Sequence, residues 1–277
     1  MNYRSKVKLI TAIDVLFLFL LCVSGSSDGI IANLIYYSAF AFPIFIGIYF
    51  LYSPNENGGK TVSNIKEELR KDLSVSKKDF LKSAPFVFPA ILLIMLLSES
   101  TSLVLENFGL SNDVAFEEPF LQSVFIHALL PAILEEFLFR FIPINLLKAN
   151  TKYAILLSSV MFAFAHASLF QIPYALVAGF VFSILYIAFG NVYICIALHF
   201  LNNVISLMSI YGVRNLYLIL GVSILSLISA VLIFIYRKDY TNTLKSLFSG
   251  KKIKFYPEPI FFILFSLFLA ISTLAMV

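Results

Sequence analysis

The chain has 277 residues, of which 60% are hydrophobic and only 13% charged, with a formal net charge of +4. A soluble domain carries about a quarter charged residues, so a mean hydropathy of +0.92 excludes a soluble enzyme and describes a polytopic membrane protein. Cys22 and Cys195 both fall inside apolar runs, which excludes a disulfide framework and a thiolate zinc cluster; Trp is absent, so any interfacial aromatic belt rests on Tyr.

In chain order the apolar runs predict about nine spans, near 8–24, 30–52, 84–104, 121–148, 153–168, 173–189, 191–210, 215–236 and 259–277. The expected fold is therefore all-α, a transmembrane helical bundle forming one integral membrane domain. The first run has the outline of a signal peptide, with basic residues before it and Val23-Ser24-Gly25 after it. Asp14 within the run and the close second run favour a retained helix. Residues 53–83 form the longest polar segment. Asn64 followed by Glu67 is a capping-box-like start, and Val62, Ile65, Leu69 and Leu73 recur at helical spacing. This predicts an amphipathic helix, either resting on the cytoplasmic leaflet against membrane lipid or serving as a solvated linker.

The loops are sharply sorted by charge. Every Lys and Arg except Arg140 and Arg214 lies before the first span or within 53–83, 148–152 and 237–258. The 105–120 loop instead carries Glu106, Asp113, Glu117 and Glu118. The positive-inside rule then expects a cytoplasmic N-terminus and an outside C-terminus. The Lys245–Lys254 run reads as an orientation determinant rather than a binding site. There is no internal repeat, Gly-rich phosphate loop or basic folded face, so nucleic acid is not an expected partner.

The informative stretch is Leu130 to Asn150, where Glu135, Glu136 and Arg140 interrupt a run long enough to cross a bilayer. An ionised group near the bilayer centre costs from ~3 to over ~10 kcal/mol, so three such groups require partners and a purpose. On an α-helix Glu136 and Arg140 share a face and pair, while Glu135 is turned by about 100° and remains free. Pro131 and Pro143 are expected to kink or loosen this span. The other intramembrane polar groups are His127, His166, His199, Asn202 and Asn203, with His199 and Asn203 on one helical face. Nothing further marks His127, which reads as cavity-lining; Phe162 reads as packing, and Asp14 and Glu99 as reaching an interface near span ends.

A carboxylate beside an imidazole, held away from bulk water, can take a proton from a trapped water and deliver it to a leaving amine. A second histidine and an asparagine amide supply donors for a tetrahedral oxyanion. That inventory is a peptide hydrolase with a water nucleophile. No Gly-x-Ser-x-Gly elbow or Cys signature points to covalent catalysis. Two histidines and a glutamate with an open position also form a familiar zinc set, so a metal held by Glu135, His166 and His199 stays open, although HExxH is absent.

Glu135-Glu136-x-x-x-Arg140, Phe162-x-x-x-His166 and His199-x-x-x-Asn203, on three successive motif-bearing spans, resemble the CPBP family. This is the family of CAAX proteases and bacteriocin-processing enzymes, also called Abi proteins, which includes the Ras-converting CAAX endopeptidase. The resemblance covers about residues 121–211, in spans four to seven, between N-terminal spans and a cytoplasmic segment (1–120) and C-terminal spans (212–277). It implies an intramembrane peptidase. Glu135 would be the general base working with His166, Glu136 and Arg140 the supporting pair, and His199 and Asn203 the oxyanion site. The Glu-His water mechanism needs no cofactor; a zinc-dependent mechanism is the alternative, since family members are also catalogued as metalloproteases. Expected substrates are peptide precursors such as bacteriocins or pheromones, or membrane-anchored regulators. The composition fits a bacterial cell membrane. A non-catalytic scaffold or immunity protein on the same fold is the competing class, with an ion-coupled transporter third. Intact motifs disfavour the scaffold, and the lack of a second Glu-Glu-Arg stretch disfavours the transporter.

Overall fold

The computed structural model describes residues 1–25, 29–52, 67, 69–70, 72–74, 76–111, 116, 118–238, 240–241 and 256–274. The capping-box start at Asn64, most of the 53–83 segment and the Lys245–Lys254 run fall outside the described residues, as do Asp113 and Glu117.

Every described regular element is helical. Helix α1 is Tyr3–Gly25 and α2 is Gly29–Tyr52. Helix α3 (Lys77–Ser83) runs through a 3-10 turn, Ala84–Phe86, into α4 (Val87–Asn107). The fourth span is broken into α5 (Phe120–Ser123), α6 (Leu130–Glu136) and α7 (Ile142–Leu146). Then follow α8 (Thr151–Ala165), α9 (Ile172–Phe189), α10 (Val192–Ile210), α11 (Asn215–Ile235) and α12 (Pro259–Leu274). Helical structure occupies each of the nine positions expected to hold a span. Among the described residues four helices, Lys77–Asn107, Ile172–Phe189, Val192–Ile210 and Asn215–Ile235, are long and apolar enough to cross a membrane.

Helix α8 is the central post. Ten of its side chains are buried, among them Ser158 and Ser159. The Ser158 hydroxyl bonds the Phe139 carbonyl and lies 3.0 Å from the Ser183 hydroxyl, so a single small polar residue ties α8 to both the fourth span and α9. Gly179 lets α9 approach closely, because a Cβ there would come within 2.9 Å of the Ser159 backbone. The α9–α10 connection is equally economical. Gly190 adopts φ 60°, a left-handed cap that glycine takes without penalty, and the Asn191 side chain accepts the Tyr193 N–H at 2.8 Å to start α10. By contrast, α11 exposes Leu220, Ile224, Leu227, Ile228 and Val231, the apolar outer face expected against lipid.

Contacts between helix ends divide the connections into two sets. Tyr3 lies 6.1 Å from Tyr153 and 5.6 Å from Tyr256, ring centre to ring centre, and Arg4 donates to Glu258 at 2.6 Å. That bond holds the Glu258 carboxyl below the usual carboxylate range. Tyr240 donates to the Lys82 carbonyl at 2.9 Å. The N-terminus and the segments rich in Lys and Arg therefore share one end of the bundle. At the opposite end the Tyr211 hydroxyl bonds the Glu118 carbonyl and lies 2.7 Å from the Ser123 hydroxyl, joining the acidic loop to the α10–α11 turn.

Asp14 departs from expectation. Rather than reaching an interface it is buried inside the bundle, and its Oδ2 has no hydrogen-bond partner.

Candidate active site

The two prolines shape the fourth span more specifically than a kink. Proline has no N–H to offer, and its ring crowds the carbonyl four residues back. Ahead of Pro131 the helix widens into a π-turn, Val124–Leu129, where the Leu130 N–H bonds the Phe125 carbonyl. Ahead of Pro143 the same occurs over Phe137–Phe141, with the Ile142 N–H on the Phe137 carbonyl. Such turns recur at functional sites because they redirect side chains without ending the helix. Between them stands α6, whose last two residues are Glu135 and Glu136.

The carboxylates diverge as their helical spacing requires. Glu136 is fully buried with Arg140, Nη1 to Oε1 being 3.2 Å. The same oxygen lies 2.8 Å from Nδ1 of His199 on α10. A carboxylate only accepts, so the ring hydrogen is on Nδ1, and Nε2 is turned towards Glu135, 3.8 Å from its Oε2. That Glu135 oxygen has no hydrogen-bond partner. The Arg140 guanidinium carbon lies 3.8 Å from the Phe162 ring centre and 5.1 Å from that of Phe182, so aromatic faces stand where water would otherwise solvate the cation. Phe162 thus does more than fill space: its ring covers Arg140, and its carbonyl sits 2.8 Å from Nδ1 of His166. A carbonyl also only accepts, which again leaves Nε2 as the available ring nitrogen.

His166 caps α8 at its C-terminal end. A 15-residue helix is about 22 Å long, shorter than the ~30 Å hydrocarbon core. The residues after it turn back towards α9 with Ala167 at φ 46°, a left-handed conformation uncommon outside glycine. Irregular backbone at membrane depth is tolerated where it lines a cavity.

Such a cavity is present, with a volume of about 630 Å3. Glu135, His166, His199 and Asn203 all border it, although they come from α6, the end of α8 and α10. Glu136 and Arg140 stand behind that wall. His127 also reaches the cavity, its ring stacked on Phe116 with centres 4.2 Å apart. Glu99 was expected at an interface; it instead lines the cavity and accepts a 2.7 Å hydrogen bond from the Asn215 amide. Tyr36, Gln171 and Tyr174 complete polar parts of the wall and had no signal in the sequence, being ordinary residues in helical or loop contexts. As arranged, no group of three His, Cys, Asp or Glu among the described residues is gathered as a metal site. The two available Nε2 atoms and Glu135 are chemically suitable donors for such an ion.

Residues 117–205 match the family model described as type II CAAX prenyl endopeptidase Rce1-like. This stretch holds all three motifs, and over it the chain is similar to the CAAX protease family. No curated protein and no solved structure matches the chain. The apolar helices support an integral membrane protein, and the match makes residues 117–205 similar to a peptidase family.

Proposed function

We propose that this chain is an intramembrane endopeptidase that hydrolyses a peptide bond with a water activated by Glu135 and His166. The observation carrying this reading is that Glu135, His166, His199 and Asn203, separated by up to 68 residues along the chain, border one cavity. The Glu135 carboxylate accepts a proton from the water, and the lone pair on Nε2 of His166 accepts the other O–H, aiming the oxygen at the scissile carbonyl carbon. As the C–O bond forms, the carbonyl π electrons move onto oxygen. The Asn203 amide donates to that oxyanion, as does Nε2–H of His199 when the ring is protonated. The proton held by Glu135 passes to the nitrogen as the C–N bond breaks, releasing an amine and an acid.

Glu136 sets the orientation of His199, and Arg140 neutralises Glu136. With His199 protonated, the four groups Glu135, Glu136, Arg140 and His199 carry no net charge, which limits the cost of burying them. Catalysis in this scheme needs no metal. The fitting substrates are peptide precursors, including bacteriocins and pheromones, or membrane-anchored regulators in a bacterial cell membrane. In purified protein, Glu135→Ala and His166→Ala should each abolish peptide cleavage while the helical fold persists. Normal turnover in either variant refutes the assignment.

A further inference from the structure

The cavity is not centred in the bundle. From the level of Glu135 it extends in one direction only. Along α4 it is lined by Ile94, Glu99, Ser102 and Glu106, towards the C-terminal end of that helix. Along α10 it runs from His199 to Ile210, the last residue, and on α11 it begins at Asn215, the first. Gln171 and Tyr174 lie at the start of α9. All these helix ends meet at the same end of the bundle, where Tyr211 joins the acidic loop at Glu118. Glu106 and Ile210, at the far limit, are exposed. No described residue of the opposite end, where Arg4, Lys82, Lys148, Lys152 and Arg237 lie, contributes to the wall.

Charge assigns the two ends. Lys and Arg flank cytoplasmic helix ends, and the bias among short loops is the strongest sequence determinant of orientation. Here, among the described residues, the end without the cavity holds Arg4, Lys82, Lys148, Lys152 and Arg237, and the end with it holds Glu106, Glu118 and Arg214. We infer that the cavity opens on the extracytoplasmic side, so that the substrate is a polypeptide segment presented from outside: an exported peptide or the outer portion of a membrane-anchored protein. This rests on the peptidase reading for the word substrate, while the direction of the opening rests only on geometry and charge. A consequence for chemistry is that a cytoplasmic tail cannot reach Glu135 without crossing the packed half of the bundle, where Phe139, Phe141, Ile142 and Leu147 are buried.

The test uses the full chain in intact cells, with Cys22→Ser to remove the exposed native thiol and leave only buried Cys195. Ser102→Cys reports on the cavity and Lys148→Cys on the opposite end. A charged, membrane-impermeant maleimide should label Ser102→Cys in intact cells, and Lys148→Cys only after permeabilisation. The reverse pattern overturns the inference. In a second arm the wild type and Glu135→Gln are reconstituted in proteoliposomes of known orientation, and a mixed tryptic peptide digest is added outside. Glu135-dependent cleavage should appear only where the acidic end faces out; cleavage only in the opposite orientation overturns the inference but upholds the peptidase. Ser102→Cys labelling from outside, with no cleavage in either orientation, upholds the opening and overturns the peptidase and with it the substrate assignment.

Discussion

Nδ1 of His199 lies 2.8 Å from Oε1 of Glu136, the same oxygen that meets Nη1 of Arg140 at 3.2 Å. One carboxylate oxygen therefore serves two cationic or donor groups from different helices, and links the pairing inside the fourth span to the ring that faces Glu135 from α10. Removing it has two separable effects.

Glu136→Ala leaves Arg140 buried without its counter-ion, a loss on the order of 3–5 kcal/mol, and also frees the His199 ring. Both thermal stability in detergent and cleavage should fall. Arg140→Ala should destabilise similarly. Glu136→Gln retains an acceptor for His199 but not the charge, so its melting temperature should fall while more activity survives than in Glu136→Ala. Unchanged melting in both Glu136→Ala and Arg140→Ala would contradict the pairing.

Asn203 borders the cavity one helical turn beyond His199. Loss of one oxyanion donor typically lowers kcat about 10²- to 10³-fold, and Asn203→Ala should do so with little change in KM or melting temperature. A KM effect alone would assign Asn203 to substrate binding.

Ala167 holds a left-handed conformation at the turn that follows His166. A non-glycine residue there carries roughly 1–2 kcal/mol of steric cost, and a β-branched residue more. Ala167→Val should lower both stability and activity, whereas Ala167→Gly should melt no lower than the wild type. Equal destabilisation by both would show that the turn is not set by this backbone angle.

The proposed water mechanism draws on Glu135 and two imidazoles without an ion. Cleavage should survive exhaustive chelation, and elemental analysis of the active protein should find no stoichiometric metal. Loss of activity on chelation with recovery on adding Zn²⁺ would establish the metal-dependent alternative.

Much of this site was legible in the sequence because a charge in an apolar run is expensive and must find a partner. The spacing of Glu136 and Arg140 gave their pairing, and the i, i+4 spacing of His199 and Asn203 gave a shared face. What spacing could not reveal was contact between helices. That His199 bonds Glu136 depends on how α10 packs against the fourth span, a relation between residues 63 positions apart. Glu99 was misjudged for the same reason: its place near a span end is visible, but the inward turn follows from Asn215, which belongs to a different helix. Asp14 shows the limit most plainly, since local sequence says nothing about which face of α1 is covered. The π-turns were half legible. Proline marks where a helix must yield, but whether it yields by bending or by widening is decided by the neighbours that hold its two halves in line.

The most direct measurement is the set of peptide termini in membranes of cells carrying the wild type against cells carrying Glu135→Gln at equal expression. Hydrolysis at this site predicts a defined group of termini present with the wild type and absent with the variant. Identical termini in the two, with Glu135→Gln folded and inserted normally, would contradict a proteolytic role for the cavity.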